Sequence, residues 1–539
     1  MLNRVVDGPP RPGHRLTVTR LGATESWDLT EVWERSGRVA AHLRGLGVRP
    51  GDRIGVLGAN CLAWVLLDLA ALRVKAVTAG FDPGKFDATG AELVDRYGLA
   101  LLFTDRREET GRREETGHPA GTPRGAEPTR PDEPTPAPAS ARPAGPTPAS
   151  AWARIHPLAS VHDLPPAPAG PPPVVWRPDE APALKFTSGS SGPAKSLLAS
   201  AGSIDDSLAA VQEMFAHGPG DDLFVFLPLS LLQQRYWVYS AFAFGHSVTI
   251  STYEAAFAAL RTARPTVVMG VPGFYTTARA HLRETAARTG TTPAQAAAGL
   301  FGDRIRYLWT GSAPADPATL RFFTEAGLPI YEGYGLNETC IVTKNHPGAH
   351  RPGSVGRVLP GKSVFIDADG VINVRGDHPV ATGYEHAGPG DSEAMFRPGG
   401  IVRTGDLGRL DEDGYLYVLG RADDVIVLDN GKKIVVRPIE ERLRASPLIE
   451  DCVVTNPSQR QLVAIVSPAR GPVDPELIAA ALREANAGLD HDERIGKAVL
   501  AERFSVDNGL LSAQFKPRRA HIEARYRHLV TDPREGIHV

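Results

Sequence analysis

The chain has 539 residues, of which 42% are hydrophobic and 22% are charged, and its formal net charge is -3. This length predicts two to four domains with ample material for a core, and the near-neutral charge gives no electrostatic case for nucleic acid as a partner. An apolar signal core and an 18-residue apolar run are both lacking, so we expect a cytoplasmic protein with no integral membrane segment.

Helix and strand patterns alternate along the first hundred residues. Leu29 to Leu46 and Cys61 to Val74 have the apolar spacing of helices, whereas Arg53 to Gly58 and Ala76 to Thr78 predict strands. This order predicts an α/β fold with a layered parallel sheet covered by helices. The same pattern returns in strand-like stretches at 222–228, 247–251, 266–270 and 307–310.

Between Arg106 and Pro173 the composition changes. The segment begins with two copies of Arg-Arg-Glu-Glu-Thr-Gly, contains 17 of the 47 prolines and offers few apolar residues to bury. A segment of this composition cannot offset the entropy lost on ordering. We therefore predict a Pro-rich disordered insertion over 106–173.

A glycine- and hydroxyl-rich loop that ends in a lysine lies between Phe186 and Ser196. Main-chain N–H groups in such a loop can approach a triphosphate at little steric cost, hydroxyls add donors, and Lys195 adds a positive charge. The spacing differs from that of the Walker loop, but the loop still predicts a nucleotide site. Its candidate residues are Thr187, Ser188, Gly189, Ser190, Ser191, Gly192 and Lys195.

Further motifs follow in chain order. Gly311-Ser312-Ala313-Pro314 precedes residues 331–339, which have the sequence Tyr-Glu-Gly-Tyr-Gly-Leu-Asn-Glu-Thr. Thr404-Gly405-Asp406 and Gly420 to Asp424 come next, and residues 509–519 have the sequence Gly-Leu-Leu-Ser-Ala-Gln-Phe-Lys-Pro-Arg-Arg. With the phosphate loop, these motifs resemble those of the adenylate-forming superfamily in their usual order. The last one has the form seen in long-chain acyl-CoA synthetases, and the resemblance covers nearly the whole chain apart from the Pro-rich segment.

Beyond Asp411 the sequence predicts a smaller α+β domain. Short strand patterns are divided by turn residues such as Asn430-Gly431, and Pro438 to Ala445 predicts a helix. The resemblance implies that this domain is a mobile lid, which begins after a hinge at Asp423 and rotates between two half-reactions. The predicted divisions are an N-terminal domain in two parts, 1–105 and 174–420, the insertion 106–173, and the lid 421–539.

The resemblance implies a reaction in which an acid attacks the α-phosphate of ATP and pyrophosphate leaves. Cations must then surround the phosphates. Lys195 suits the β- and γ-phosphates, and Glu338 suits Mg²⁺ because a hard cation prefers carboxylate and phosphate oxygens. Lys516, delivered by the lid, would neutralise the oxygens of the α-phosphate and the acid as charge builds. The predicted catalytic residues are therefore Lys195, Glu338 and Lys516, with Glu338 as the metal ligand.

The same resemblance assigns the remaining nucleotide contacts. Asp406 can accept bonds from both ribose hydroxyls, Arg421 can donate to the ribose or a phosphate, and Tyr334 can lie beside the adenine. Asn337 stands where the family usually has threonine. The other candidate residues for binding ATP are Gly311, Ser312, Ala313, Gly335 and Asn337.

The segment from Leu227 to Arg235 departs from the family pattern beside the expected acyl site. Long-chain synthetases usually have Leu-Pro-Leu-Ala-His-Ile-Phe-Glu-Arg there, so Leu231 replaces the histidine and Gln233 the aromatic residue. The predicted substrate pocket consists of Leu231, Gln233, Gln234 and Arg235. We expect a fatty or aryl acid to be activated as acyl-AMP and transferred to a thiol, either coenzyme A or a carrier protein.

A second hypothesis keeps the fold and changes the acid. Related diazotases activate nitrite as a nitrite–AMP anhydride, which an aromatic amine attacks to form a diazo group. Gln233, Gln234 and Arg235 could hold a small anion or a polar arene.

A non-catalytic nucleotide-binding regulator is disfavoured because it needs neither Glu338 nor Lys516. A dehydrogenase is disfavoured because the first strand lacks a Gly-X-Gly-X-X-Gly turn.

Overall fold

The computed structural model describes residues 1–86, 88–106, 154–162, 164–165, 174–187, 195–457, 461–469, 473–511 and 517–539. The strands of these residues form five sheets. The strands of the two large sheets all lie before residue 360, and the strands of the three smaller sheets come after it. Most of the predicted phosphate loop, 188–194, and Lys516 lie outside the described residues.

The largest sheet has nine strands, of which six neighbouring ones are parallel. The strands are β1 Arg15–Arg20, β2 Ala23–Asp28, β9 Asp222–Val225, β10 Ser247–Ile250, β11 Val267–Gly270, β12 Tyr307–Thr310, β13 Ile330–Leu336, β14 Cys340–Lys344 and β15 Arg357–Val358. Their spatial order is β15-β14-β13-β12-β11-β9-β10-β1-β2. Ligands of open α/β sheets bind at the carboxyl ends of parallel strands. Here this edge carries the Gly311 loop after β12 and the 227–235 segment after β9.

The second large sheet has six strands in the order β6-β5-β3-β4-β7-β8. They are β3 Arg53–Leu57, β4 Val77–Phe81, β5 Leu99–Thr104, β6 Ile155–Pro157, β7 Ala183–Thr187 and β8 Lys195–Ala199. Only β8 runs antiparallel to its neighbour, β7. Lys195 therefore begins an edge strand directly opposite Thr187, the last residue of β7.

Part of the predicted insertion is an ordered element of this sheet. Ile155 lies in β6, which pairs with β5, and a 3-10 turn follows at Leu158–Val161. Ile155, Leu158 and Val161 are buried, and their burial stabilises a short segment that the average composition did not reveal. The prediction of disorder is wrong for these residues. Residues 107–153, 163 and 166–173 of the insertion lie outside the described residues.

Ten helices of the described residues cover the two large sheets. They are α1 Leu2–Asp7, α2 Leu29–Gly45, α3 Leu62–Val74, α4 Gly90–Tyr97, α5 Ala201–Phe215, α6 Leu232–Ser240, α7 Ala256–Ala263, α8 Pro272–Thr289, α9 Pro293–Phe301 and α10 Pro317–Glu325, with a π-helical turn at Ala241–Gly245. Helix α3 is apolar on every side and buried along its whole length, as expected of a core helix. It shares one core with Val18 of the nine-stranded sheet and Val56 of the six-stranded sheet.

A third sheet has five strands. These are β16 Lys362–Ile366, β17 Val371–Gly376, β18 Phe396–Arg397, β19 Ile401–Leu410 and β20 Leu416–Arg421. Residues 377–395, which we call the connecting segment, join β17 to β18 and end in helix α11, Asp391–Met395. The connecting segment reaches back to the six-stranded sheet, where His386 forms a bridge with Ser196 and Glu385 pairs with Arg53 at 2.5 Å. It therefore lies beside Lys195.

The C-terminal part has its own apolar cores, which contain residues from Leu428 onward. Its strands are β21 Val425–Val427, β22 Lys433–Val435, β23 Ile449–Thr455, β24 Leu462–Pro468, β25 Ile495–Leu500 and β26 Ile537–His538. Its helices are α12 Val436–Leu443, α13 Pro475–Asn486 and α14 Arg519–Thr531, with 3-10 turns at Ala422–Asp424 and His491–Glu493. The predicted α/β fold with a smaller α+β C-terminal domain is confirmed. No helix within the described ranges combines the length and apolar character needed to cross a bilayer.

Candidate active site

Three of the predicted nucleotide-binding residues meet at one point. Tyr334 Oη donates to Asp406 Oδ2 at 2.6 Å, and Arg421 Nη1 donates to Asp406 Oδ1 at 3.0 Å. The pairing of β19 with β20 places Asp406 opposite Arg421. Burial, followed by the charge of Asp406, raises the pKa of Tyr334, so its phenol stays protonated and donates. Because a carboxylate can accept about four hydrogen bonds, Asp406 can still accept bonds from a ribose.

The Gly311 loop lies against the strand that carries Tyr334. A Cβ at Gly311 would be 3.3 Å from the carbonyl oxygen of Gly333, and Ser312 has a φ of 69°, in the left-handed region. Loop and strand thus approach closely, as expected where two segments form one side of a site. Ala313 follows in the same loop.

Glu338 lies in the turn between β13 and β14 and is only 5% exposed. Its Oε1 accepts a hydrogen bond of 2.7 Å from Tyr384 Oη of the connecting segment. Burial and the Glu338 charge raise the pKa of Tyr384. The contact leaves the carboxylate able to accept further bonds, so the turn is compatible with a magnesium ligand.

Lys195 reaches the same part of the connecting segment. Its Nζ lies 2.8 Å from Asp391 Oδ1 and 5.3 Å from the ring centre of Tyr384. The hydrogen bond from Lys195 lowers the pKa of Asp391. An acidic side chain therefore accompanies the lysine that was predicted to bind phosphates.

Two of the contacts described above involve the β13–β14 hairpin. Tyr334 contacts Asp406, and four residues later Glu338 contacts Tyr384, which lies beside Lys195. The hairpin and Tyr384 thus link the groups predicted for the ribose, the metal and the terminal phosphates.

The four residues predicted to line the acid pocket differ in burial. Arg235 is 1% exposed, its Nη1 donates to Asp68 Oδ1 at 2.9 Å, and its guanidinium lies 5.4 Å from the Trp64 ring centre. Leu231 and Gln233 remain partly exposed, whereas Gln234 is buried. Arg235 is therefore held by α3, and the role of these four residues in binding an acid stays a prediction.

The predicted hinge residue Asp423 lies in the 3-10 turn that follows β20, and its Oδ2 is 3.4 Å from Arg421 Nη2. Lys516 lies outside the described residues, but Leu511 and Pro517 on either side of it form an isolated antiparallel bridge. The hinge role and the role of Lys516 stay predictions.

Within the described ranges, no group of three or more His, Cys, Asp or Glu side chains is arranged to hold a metal. A site in which Glu338 shares the metal with the phosphates of a nucleotide needs no such group, because Mg²⁺ is commonly held by one or two carboxylates and phosphate oxygens.

Comparison with known families decides the classification. The profile of the AMP-binding enzyme family matches residues 10–384, and that of the AMP-binding enzyme C-terminal domain matches residues 423–532. The chain belongs to the AMP-binding enzyme family. A long-chain-fatty-acid–CoA ligase of Mycobacterium bovis is 29% identical to this AMP-binding enzyme over an alignment that covers 90% of the chain and 88% of the relative.

Solved structures show the same fold. ATP-bound MatB of Rhodopseudomonas palustris superposes with a TM-score of 0.77 at 21% identity, covering 98% of this AMP-binding enzyme and 99% of MatB. The o-succinylbenzoate coenzyme A synthetase of Bacillus subtilis, solved with ATP and magnesium ion, gives a TM-score of 0.72 at 19% identity, covering 97% and 98%.

The predicted membership of the adenylate-forming superfamily and the resemblance to acyl-CoA synthetases are confirmed for this AMP-binding enzyme. Its relatives include acid–CoA ligases, and they give no support to the diazotase alternative.

Sequence reasoning missed two residues of the site, Tyr384 and Asp391. Both lie in the connecting segment, which has neither periodic apolar spacing nor a glycine-rich motif. Their partners Glu338 and Lys195 are 46 and 196 residues away along the chain, so only the fold reveals these contacts.

Proposed function

We propose that this protein is an ATP-dependent acid–CoA ligase that activates a fatty or aryl acid as acyl-AMP. The observation that carries the proposal is that Tyr334 and Glu338 of one hairpin link Asp406 with Tyr384, which lies beside Lys195. These groups suit the ribose, the metal and the terminal phosphates of one ATP molecule. ATP and coenzyme A are cytoplasmic metabolites, and we propose that compartment for the reaction.

The proposed chemistry has two steps. A carboxylate oxygen of the acid attacks the α-phosphorus of ATP, the bond from that phosphorus to its bridging oxygen breaks, and pyrophosphate leaves. The sulfur of a thiol then attacks the acyl carbon, AMP leaves, and the thiol proton passes to solvent. Replacing oxide with AMP as the leaving group makes the second attack feasible.

The described residues have distinct tasks in the first step. Glu338 would hold Mg²⁺, which neutralises charge on the phosphate oxygens. Lys195 would bind the terminal phosphates once its ammonium group leaves Asp391. Asp406 would hold the ribose, while Arg421 and Tyr334 keep the Asp406 carboxylate in place.

The acceptor is proposed to be coenzyme A, since the sequence relative from Mycobacterium bovis is a CoA ligase. A carrier protein with the same thiol chemistry is the second candidate. Leu231 offers no donor to a carboxylate, so the acid must be oriented by other groups, such as Lys516.

A pyrophosphate-release screen tests the proposal. Fatty acids of increasing length and a set of aryl acids would each be supplied with Mg·ATP, with and without coenzyme A. We expect acid-dependent release that coenzyme A accelerates. Release that is independent of every acid would contradict the proposed function.

Replacement of Asp406 by alanine should weaken ATP binding more than it slows the reaction. Ribose contacts exist in both the ground state and the transition state, so their loss raises KM. Hydrogen bonds to a charged group contribute about 1.5–3 kcal/mol, which predicts a rise in the KM for ATP of about 10- to 100-fold. Steady-state pyrophosphate release at varied ATP concentration measures this KM.

Asp367→Ala is the matched control for this variant. Asp367 bonds Arg403 of β19, the strand that also carries Asp406, but it belongs to none of the site contacts. The control should leave the KM for ATP unchanged. An equal rise in both variants would mean that Asp406 acts only by stabilising the sheet.

Replacement of Asp391 by asparagine should strengthen ATP binding. The change removes the negative charge that now pairs with Lys195. Because a partly exposed pair contributes about 0.2–1 kcal/mol, the KM for ATP should fall by up to about fivefold. Glu385→Gln is the matched control. It breaks the neighbouring ion pair between Glu385 and Arg53 and should not lower the KM for ATP. A KM that rises in Asp391→Asn would contradict competition between Asp391 and the phosphates.

A further inference from the structure

The turn that carries Glu338 is tightly constrained. Cys340, which follows the turn, has a φ of 53°, in the left-handed region that non-glycine residues seldom adopt. Gly335, which precedes it, has no room for a side chain, because a Cβ there would lie 2.0 Å from the carbonyl oxygen of Cys340. Such a conformation persists only where the surrounding contacts hold it.

Two lysine side chains provide contacts on either side of Glu338 in the sequence. Lys185 Nζ donates to the carbonyl oxygen of Asn337 at 2.7 Å, and Lys362 Nζ donates to that of Thr339 at 3.0 Å. Lys185 lies in β7 and Lys362 begins β16. The main chain before and after Glu338 is thus anchored to two different sheets.

The side chain of Asn337 completes a link to β7. Its Nδ2 donates to the carbonyl oxygen of Phe186 at 3.1 Å, and Phe186 directly follows Lys185. Two hydrogen bonds of opposite direction therefore connect the Glu338 turn with the strand that leads into the predicted phosphate loop. The amide of Asn337 has this protein contact in addition to any predicted contact with a nucleotide.

Charge makes these lysines unusual as structural residues. Lys185 is 3% exposed, and burial lowers the pKa of Lys362. Within the described part of the chain, neither ammonium group has a carboxylate within 4 Å. Lys185 Nζ contacts the carbonyl oxygen of Asn337 and, at 3.6 Å, Cys340 Sγ, whereas Lys362 Nζ contacts the carbonyl oxygen of Thr339. Burying an ammonium group such as that of Lys185 without a counter-ion is costly. A bound metal–triphosphate, which is anionic, would supply the missing counter-charge.

We propose that Lys185 and Lys362 are positioning residues that hold Glu338 in the geometry required for Mg²⁺ and fix its turn against strands β7 and β16. The inference rests on the proposed function, since it concerns the metal of the same site. Both lysines act through the main chain of the turn.

Lys185→Met and Lys362→Met test the proposal, because each removes the ammonium group and retains an unbranched apolar side chain. We expect the Mg²⁺ concentration for half-maximal pyrophosphate release to rise by about 10- to 100-fold, the effect typical of residues that orient a metal ligand. kcat should fall, while the KM for the acid changes little.

Lys497→Met is the matched control. Lys497 is a buried lysine of the C-terminal domain, and its Nζ donates to the carbonyl oxygens of Leu529, Val530 and Asp532. Its loss should lower Tm and leave the Mg²⁺ requirement unchanged. An unchanged Mg²⁺ requirement in Lys185→Met and Lys362→Met, whatever their Tm, would overturn the proposal.

Because Lys362 is partly exposed, we expect Lys362→Met to fold. This variant tests the positioning role if Lys185→Met does not fold. Wild-type protein that releases pyrophosphate with a Mg²⁺ dependence provides the reference. Failure of the wild type with every acid would contradict the proposed function, whereas an active wild type with unaffected variants would contradict only the positioning role.

Discussion

Lys516→Ala should lower the rate of acyl-adenylate formation by about 10²–10³-fold, the loss seen when a group that stabilises developing charge is removed. We propose, from the family resemblance, that the Lys516 ammonium acts at the α-phosphate, where negative charge increases as the acid attacks. Single-turnover pyrophosphate release measures the first step alone, and Tm tests whether the variant remains folded.

Arg518→Ala is the matched control, because Arg518 is an exposed basic residue two positions further along the chain. It should retain the wild-type rate. Equal activity of Lys516→Ala and the wild type would remove Lys516 from the first half-reaction. A loss confined to thioester formation would assign it to the second step.

Glu338→Gln should lower pyrophosphate release by at least about 100-fold at fixed Mg²⁺, the upper end of the range for disturbed metal sites. The change keeps the size of the side chain and an oxygen that can accept from Tyr384, but it removes the charge that a hard cation requires. A titration with MgCl₂ should recover part of the rate.

Glu332 offers the control for this variant, since it lies on β13, six residues before Glu338. Burial raises the pKa of Glu332 to about 6, so a neutral glutamine is tolerated there more easily than at a metal site. Glu332→Gln should keep the wild-type Mg²⁺ dependence. An identical Mg²⁺ titration for Glu338→Gln and the wild type would exclude Glu338 as the metal ligand.

The elements with strong local signals were predictable from the sequence. Both bounds of helix α2 and of helix α3 lie within one residue of the predicted bounds. The apolar spacing of each helix is continuous, and Gly47 and Lys75 follow their C-terminal ends. Strands β9 to β12 were likewise found from short apolar runs between helical segments. The strand at Ile155–Pro157 was missed because its pairing with β5 outweighs the proline-rich composition around it.

The sequence predicted the residues of the site that belong to recognisable motifs, but not the contacts between them. Asp406, Tyr334 and Arg421 belong to separate motifs, and the structure brings them together. For Arg235, the sequence did not reveal its partner Asp68, which lies 167 residues earlier and pairs with it in the core. Contacts between distant segments depend on tertiary packing, which local sequence patterns do not specify.

Exchange of labelled pyrophosphate into ATP tests the central claim most directly, because it reports reversible formation of an acyl-adenylate before any thiol takes part. The account predicts exchange that requires both an acid and Mg²⁺ and that is nearly abolished in Lys516→Ala and Glu338→Gln. Absence of exchange across a broad panel of fatty and aryl acids, with folded wild-type protein, would contradict it.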